Sequence, residues 1–371
     1  MRDEATTPGQ ASAAAARPGP DAPPAPQRPN LAAVAALAGV SPSTASLAFS
    51  GAGPVSDATR AKVLAAAAAL DYAGPDPRAQ SLRRGRSGII GVVIEDRLRD
   101  AFRDPINIAM LDGLADATGS GSNGASLLLL TETGEATGGV EHAPVDAVVL
   151  IGCSTRLSSS VEVLRQRGIP IVAIEAEHRD GVVSIDLDNR EGSRMLATVL
   201  KDAGHERVAM VTLPLDPARS RGELTADKVT ASTGWTASQR ILGVHDVFPD
   251  AGGWVAAGSF IEEGTAAALE LLRSPNPPTA IVAQSDLLAV GVIRAAEELG
   301  MHVPDDLSVV GFDGVRLDGI APLELTTRVQ PAVDKGRAAG RAVLELLDGE
   351  TALGESFTSH YFAGNTVAPP R

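Results

Sequence analysis

The sequence predicts an α/β protein with a small helical head followed by a larger body of alternating strands and helices. From residue 87 onward, short Val/Ile-rich runs alternate with Ala/Leu-rich runs at helical spacing, a pattern typical of parallel sheets with crossover helices. Aromatic residues make up only 3% of the chain, so its cores have to be built from Ala, Val, Leu and Ile. The length of 371 residues indicates two or three domains, since a domain usually has roughly 100–200 residues.

The body contains eight predicted strands. They lie at 88–94, 125–130, 146–151, 170–174, 182–186, 207–212, 279–283 and 307–311. Helical patterns occur at 105–118, 158–167, 190–203, 263–273, 286–299 and 333–348. Because so many strands exceed what one sheet commonly needs, we expect two doubly wound lobes, with a ligand cleft between them at the carboxyl ends of the strands.

The head, residues 30–72, has the pattern of three short helices, the second at 42–49 with a proline at its first position. The candidate capping residues are Asn30, Gly39, Ser41 and Ser56. The tight glycine-containing turn between the first two helices indicates a helix-turn-helix arrangement.

The remaining composition limits the class of protein. Residues 1–29 are rich in Ala, Pro, Gly and Gln without a hydrophobic period, so we expect a disordered tail. The acidic first residues lead into no apolar signal core, and no stretch approaches the ~20 apolar residues of a membrane span. The one cysteine, Cys153, has no partner for a disulfide or a zinc site. We therefore expect a cytoplasmic protein with no metal, no cofactor and no membrane partner.

Charge is distributed unevenly along the chain. The formal net charge is −14, yet residues 28–86 hold seven basic residues against three acidic ones, a local net charge of +4. A basic head on an acidic body would let the head bind phosphate while the body stays away from it. A local fluctuation of composition is the alternative explanation.

Several motifs carry a family resemblance. They are residues 31–46 (LAAVAALAGVSPSTAS), 55–63 (VSDATRAKV), 70–72 (LDY), 79–82 (AQSL), 188–192 (DNREG) and 309–313 (VVGFD). Together they resemble the LacI/GalR (lactose-repressor-like) family over roughly residues 30–371. The resemblance implies a helix-turn-helix domain at 30–76, a hinge helix or linker at 77–87, and a periplasmic-binding-protein-like body of two lobes at 88–371 for effector binding and dimerisation.

The resemblance implies a transcription regulator that binds near-palindromic double-stranded operator DNA, as a repressor and as a homodimer or higher oligomer. The implied DNA-binding residues are Ser41, Pro42, Ser43, Thr44, Ser46, Leu47, Thr59, Arg60, Ala79 and Leu82. Leu47 stands where the family usually has arginine, and Leu82 matches a leucine that wedges into the minor groove. Alternatively, Leu47 belongs to the core, Thr44 and Ser46 are merely solvated, and 78–82 is a plain linker.

The resemblance also implies a small-molecule effector in the cleft. The candidate effector-binding residues are Glu95, Glu175, Arg221, Ser259, Ser285 and Asp313. Carboxylates accept hydrogen bonds from hydroxyls and arginine donates them, a combination that favours a sugar or sugar-like effector. As alternatives, Asp313 and Asp286 would be helix caps and Arg221 a surface charge.

Two other classes fit the sequence less well. An enzyme is disfavoured because the chain has no G-x-G-x-x-G after a strand, no P-loop, no G-x-S-x-G and no H-E-x-x-H, and its six histidines are scattered. No catalytic residue is predicted. A solute-binding protein of a transporter shares the expected body but should carry a signal peptide and lack a helix-turn-helix.

Overall fold

The computed structural model describes residues 29–50, 53–75, 85–94, 98–119, 125–131, 139–152, 158–317 and 319–371. Chain contacts divide the protein into two units, one ending at Gly85 and one comprising Arg86–Arg371. The predicted tail up to residue 28 and the predicted hinge positions Ala79 and Leu82 lie outside the described residues.

The head consists of three helices. They are α1 (Leu31–Ala38), α2 (Pro42–Ser50) and α3 (Asp57–Ala69). The chain bends by 101° between α1 and α2, within the range of a helix-turn-helix. Gly39 makes this turn possible because its φ of 67° lies in the left-handed region, where a side chain is strained.

Small side chains hold the head together. Val34 and Ala35 of α1, Ala45 of α2 and Val63 of α3 are almost completely buried and belong to one cluster. An edge-to-face pair of Phe49 and Tyr72, with ring centroids 5.8 Å apart, lies at the margin of this cluster. Alanines at the contact points let three short helices approach closely, which leaves the other face of α2 exposed.

The body contains thirteen strands and nine α-helices among the residues that the structure describes. The strands are β1 (Ile89–Ile94), β2 (Ser126–Thr131), β3 (Ala147–Ile151), β4 (Ile171–Ile174), β5 (Val183–Leu187), β6 (Val208–Thr212), β7 (Gly222–Glu223), β8 (Gly253–Val255), β9 (Ala280–Ala283), β10 (Ser308–Val310), β11 (Thr327–Val329), β12 (Glu355–Phe357) and β13 (His360–Phe362). The helices are α4 (Leu98–Ala101), α5 (Pro105–Gly119), α6 (Ser158–Gln166), α7 (Asn189–Asp202), α8 (Ala226–Thr230), α9 (Trp235–His245), α10 (Ile261–Leu272), α11 (Asp286–Glu298) and α12 (Ala332–Leu347). A short 3-10 turn covers Val140–His142.

The strands form the two predicted lobes. The first lobe has a parallel sheet in the order β12-β5-β4-β3-β1-β2, and the second has the order β10-β9-β6-β8-β7, in which only β7 is antiparallel. Separate apolar clusters cover both faces of each sheet. Helices on both faces of a parallel sheet make each lobe doubly wound, as the sequence predicted.

The chain passes between the two lobes three times, at 187–189, 329–332 and 357–360. At these crossings, Asp188, Arg328 and Ser359 bind one another. The Asp188 carboxylate accepts hydrogen bonds from the Ser359 N–H (2.8 Å) and hydroxyl (2.7 Å), and Arg328 Nε donates to the same hydroxyl oxygen (3.0 Å). We call this group the hinge clasp, because Asp188 and Ser359 lie in the first and third crossings and Arg328 comes immediately before the second.

Within the described residues, no single helix is long and apolar enough to span a membrane, and one bent pair, α1 with α2, meets that test by length and composition only.

Candidate functional site

The exposed face of α2 carries the residues predicted to read DNA. Pro42, Ser43 and Leu47 are exposed and Ser46 is half-buried, whereas Ala45 is buried against the other helices of the head. Leu47 is 39% exposed, so it does not belong to the core of the head, which was the alternative interpretation. Pro42, Ser43, Ser46 and Leu47 thus lie on one face of α2, which presents hydroxyl and apolar groups to the surroundings.

Hydroxyl groups organise the N-termini of α2 and α3. Ser41 Oγ accepts a hydrogen bond from the Thr44 N–H (3.1 Å), and its hydroxyl also bonds those of Ser43 and Thr44. At the start of α3, Ser56 Oγ accepts from the Thr59 N–H (3.2 Å). Both helices thus begin at a serine cap, and helix N-termini attract anions such as phosphate.

Arg60, on the first turn of α3, carries a buried group with no partner. Among the described residues, none accepts a hydrogen bond from Arg60 Nε. An unpaired buried donor costs free energy unless something binds it. A guanidinium with an unpaired N–H group beside a helix N-terminus is suited to bind an anionic ligand.

A cavity of about 170 Å³ lies between the two lobes of the body. Its lining includes Ile94 and Glu175 at the ends of β1 and β4, and Leu213, Ser285 and Asp313 after β6, β9 and β10. The cavity therefore lies where the sequence placed it, at the carboxyl ends of the strands, beside the points where each sheet reverses its strand order.

Backbone strain concentrates at this cavity. Four described residues other than glycine have positive φ, and three of them line the cavity: Glu175 (53°), Arg219 (56°) and Asp313 (126°). Such conformations cost on the order of 1–3 kcal/mol each and persist where the surroundings hold them in place. All three carry charged side chains, so the strained backbone positions charged groups around one space.

Six side chains at and behind the cavity wall form a closed circle of hydrogen bonds, here named the polar ring. They are Glu175, Asn189, Arg240, Asp313, Gln330 and Lys335. Asn189 Nδ2 donates to Glu175 Oε2 (2.6 Å), and Arg240 Nε donates to Asn189 Oδ1 (2.8 Å). Arg240 Nη1 in turn lies 3.5 Å from Asp313 Oδ1.

The other half of the polar ring closes the circle. Gln330 Nε2 donates to Asp313 Oδ1 (2.6 Å), and Lys335 Nζ donates to Gln330 Oε1 and to Glu175 Oε1. The Lys335 side chain is 0% exposed. A buried ammonium is tolerable here because a carboxylate and an amide oxygen both accept from it.

The buried carboxyl groups near the cavity ionise differently. Burial would raise the pKa of Glu175, but the nearby Lys335 and Arg240 cations and two hydrogen bonds outweigh it, so that pKa lies below its usual value. Burial raises the pKa of Asp313 well above its usual range, with Arg240 opposing the shift and Asp286 adding to it. Glu175 therefore only accepts hydrogen bonds, whereas a protonated Asp313 also donates one.

The structure brings together four of the six predicted effector residues. Glu175, Ser259, Ser285 and Asp313 line the cavity. Ser285 caps α11 by accepting from the Leu288 N–H (3.2 Å), and its hydroxyl oxygen accepts from Ser259 (2.9 Å). Asp313 caps no helix, so the alternative suggested for it does not apply.

Of the other two predicted effector residues, Glu95 lies outside the described residues and Arg221 is not among the lining residues. Arg221 is exposed and forms an ion pair with Glu263, whose carboxylate also accepts from the Ala257 N–H (2.8 Å). The arginines that line the cavity are instead Arg219 and Arg240. The strained turn at Arg219 directs it to the cavity, and the surface-charge alternative describes Arg221.

Sequence reasoning missed part of the site because it left α9 unassigned. Arg240 lies on α9, and its guanidinium stacks on the Phe312 ring at 3.7 Å. Ala237, Ile241 and Val244 are buried at helical spacing, and this signal was available in the sequence. The cavity residues Asn107 and Gln330 had no such signal, because only the folded chain brings α5 and the second crossing to the cleft.

Comparisons with known proteins agree with this arrangement. Residues 30–74 match the family model described as bacterial regulatory proteins, lacI family, and residues 197–357 match the periplasmic binding protein-like domain. The HTH-type transcriptional regulator IpsA of Corynebacterium glutamicum is 31% identical over 351 residues, which cover 89% of this chain and 95% of that protein. The chain belongs to the LacI family.

Solved structures show the same fold in complexes. The lac repressor dimer bound to operator and the anti-inducer ONPF has a TM-score of 0.72 at 22% identity, covering 92% of this chain and all of that one. The transcriptional regulator CelR in complex with cellobiose has a TM-score of 0.63 at 24% identity, covering 91% of this chain and all of that one.

Membership confirms several predictions from the sequence. This LacI-family protein is a DNA-binding transcription regulator with a helix-turn-helix head and a periplasmic-binding-protein-like body. Because its relatives are transcriptional regulators, the prediction that it is not an enzyme is also confirmed.

Proposed function

We propose that this LacI-family regulator is a repressor that binds a near-palindromic operator as a homodimer or higher oligomer, and that a sugar in the interlobe cavity controls its operator affinity. The proposal retains the division into a tail (1–29), a DNA-binding domain (30–76), a hinge (77–87) and a body (88–371). It also places the protein in the cytoplasm, where it would reach its operator.

The operator half of the proposal rests on α2. Its face of Pro42, Ser43, Ser46 and Leu47 offers hydroxyls and apolar groups to base edges of the major groove. Ser41 and Thr44 at its N-terminus, with Thr59 and Arg60 on α3, suit phosphate contacts that set the register. Ala79 and Leu82 stay predictions for the minor groove. Operator binding by the lac repressor dimer supports this proposal by analogy of fold.

Two exposed leucines of the head provide a matched test. Leu47 lies on α2, and Leu64, 47% exposed, lies on α3. Footprinting on DNA that flanks the gene would first locate the operator. Leu47→Ala should then weaken operator binding by about 1 kcal/mol or more, the usual scale for losing one base contact, whereas Leu64→Ala should leave the Kd unchanged. Absence of any protected DNA, or equal Kd values for both variants and the wild type, would contradict the operator half.

The effector half rests on one observation: strained backbones hold Glu175, Arg219 and Asp313 around a single cavity. Carboxyl groups and an arginine suit the hydroxyls of a sugar. Asn107 adds an amide that is buried and lines the same cavity, and no described residue hydrogen-bonds to it. The cellobiose bound by CelR supports this proposal by analogy of fold.

Two arginines that are close in sequence test the effector half. Ribose, glucose and cellobiose would be screened for an increase in Tm, since a ligand at ~100-fold its Kd stabilises the native state by about 2.7 kcal/mol. Arg219→Gln should abolish the increase, whereas Arg221→Gln, which changes the same charge away from the cavity, should retain it. Stabilisation by nucleotides or amino acids alone would refute a sugar effector.

A further inference from the structure

The polar ring joins the two lobes directly. Glu175 follows β4 and Lys335 lies on α12, both in the first lobe, whereas Asn189, Arg240 and Asp313 belong to the second. The hydrogen bond from Asn189 to Glu175 therefore runs from lobe to lobe. Gln330, in the second crossing, connects Asp313 of one lobe with Lys335 of the other.

The ring also borders the cavity, although not with all of its members. Glu175, Arg240, Asp313 and Gln330 line the cavity, whereas Asn189 and Lys335 are not among its lining residues. An occupant that hydrogen-bonds to Glu175 or Asp313 meets the same carboxyl groups that accept hydrogen bonds within the ring. Occupancy of the cavity and the orientation of the lobes thus depend on shared side chains.

The energetics favour two discrete states of this ring over gradual change. All six side chains are buried, and each makes hydrogen bonds to two neighbours in the circle. A buried network in which every polar group has a hydrogen-bond partner is rigid. Loss of one partner leaves a polar group or a charge buried without compensation, which costs free energy. An opening of the cleft that separates Asn189 from Glu175 therefore costs too much to occur without new partners.

We propose that the polar ring is the latch that sets the angle between the lobes, and that Asn189 and Lys335 are positioning residues acting through Glu175 rather than contacting the occupant. The inference rests on the proposed function in one respect: a ligand in the cavity would break or keep the hydrogen bonds of the latch. The hinge clasp ties the crossings to one another but has no member in the cavity lining.

The interlobe distance tests the latch without DNA or sugar. Spin labels would be placed on the full chain by Gln166→Cys on α6 and Glu270→Cys on α10, both exposed and one in each lobe, with Cys153→Ser removing the native thiol. An excess of unlabelled chain would isolate distances within one chain. The wild-type chain should give one narrow distance distribution, while Asn189→Leu and Lys335→Met should broaden it and shift its mean by several ångströms.

Two controls make the outcome decisive. Arg337→Met removes an exposed cation from the same helix as Lys335 and should reproduce the wild-type distribution. Ser359→Ala removes the hydroxyl contacts of the hinge clasp with Asp188 and Arg328 and should reproduce the wild-type distribution. A wild-type distribution for the ring variants, or a shift for Ser359→Ala alone, would overturn the proposal. Asn189→Leu is nearly isosteric and breaks no ion pair, so it decides the matter if Lys335→Met fails to fold. The distance measurement needs no DNA, so it tests the latch even if the protein proves not to bind an operator.

Discussion

Three buried carboxyl groups near the cleft show how single residues are adjusted by their neighbours. Glu175 has a cation beside it and stays ionised, whereas Asp313 is buried with Arg240 at the longer distance of 3.5 Å and has its pKa raised. Asp286, at the start of α11, accepts hydrogen bonds from the Thr327 hydroxyl (2.6 Å) and the Val315 N–H (2.9 Å). These neutral donors do not offset burial, which raises the pKa of Asp286 to about 7.

Asp286 should make stability depend on pH in a definite direction. Its pKa is higher in the folded chain than in the unfolded chain, so its contribution to stability is fully present below pH about 4 and is lost as the pH rises through 7. Asp286→Asn removes the ionisation and keeps an acceptor for Thr327. Relative to this variant, the wild type should lose on the order of 4 kcal/mol of unfolding free energy between pH 4 and 8, at about 1.4 kcal/mol per pH unit of pKa difference.

Urea unfolding at a series of pH values measures this difference. The Asp286 carboxylate also raises the pKa of Asp313, so the difference between wild type and variant reports the ionisation of Asp286 together with its effect on Asp313. Parallel pH profiles for the two proteins would contradict the assignment.

At the scale of elements, glycines let helices pair unusually closely. A Cβ added at Gly113 of α5 would lie 1.9 Å from the Val333 carbonyl oxygen of α12, and one at Gly336 would lie 2.0 Å from the Met110 carbonyl oxygen. Gly264 and Gly291 make the same reciprocal contact between α10 and α11. In the second lobe, a Cβ at Gly243 of α9 would likewise lie 2.1 Å from the Arg190 carbonyl oxygen of α7. Both lobes thus contain helices in backbone contact, which leaves no room for a side chain.

Gly336→Ala should therefore destabilise the body. A methyl group cannot occupy the space beside the Met110 carbonyl oxygen unless α5 and α12 move apart, and such overpacking typically costs about 1–3 kcal/mol. Gly252→Ala is the matched control, since nothing lies within 4 Å of its added Cβ, and it should be neutral or slightly stabilising. Thermal unfolding of both variants measures the effect, and equal Tm values would contradict the close contact.

The elements that the sequence predicted are those with a strong local pattern. All eight predicted strands of the body are present, because buried parallel strands are continuous Val/Ile runs. The strands β7, β8, β11, β12 and β13 were missed, since two or three residues cannot establish an alternation. Helix α9 was missed because Arg240 and Gly243 interrupt the apolar pattern of Ala237, Ile241 and Val244 on its buried face.

The location of the candidate site could be predicted from the sequence, but the full set of its residues could not. The position of the cleft follows from the carboxyl ends of the strands, so Glu175, Ser285 and Asp313 could be named from sequence. Lys335 could not, because it reaches Glu175 across 160 residues of chain. The choice of Arg219 over Arg221 depends on a strained turn that residue spacing does not reveal.

At the scale of the whole molecule, the two units differ in architecture and in charge. The head has one small core of three helices. Among its described residues the body has three sheets: one in each lobe, covered on both faces, and the antiparallel pair of β11 and β13. The sequence holds a local charge of +4 over 28–86, which leaves −18 for the rest of the chain. The charge distribution thus favours contact with DNA through the head and disfavours it through the body.

The three crossings also have a consequence for the synthesis of the protein. Strand β12, at Glu355–Phe357, forms the edge of the first sheet next to β5, although the whole second lobe separates the two strands along the chain. Residues up to at least Phe357 therefore have to emerge from the ribosome before the first lobe can complete its sheet. The first lobe cannot finish folding before the second lobe has been synthesised.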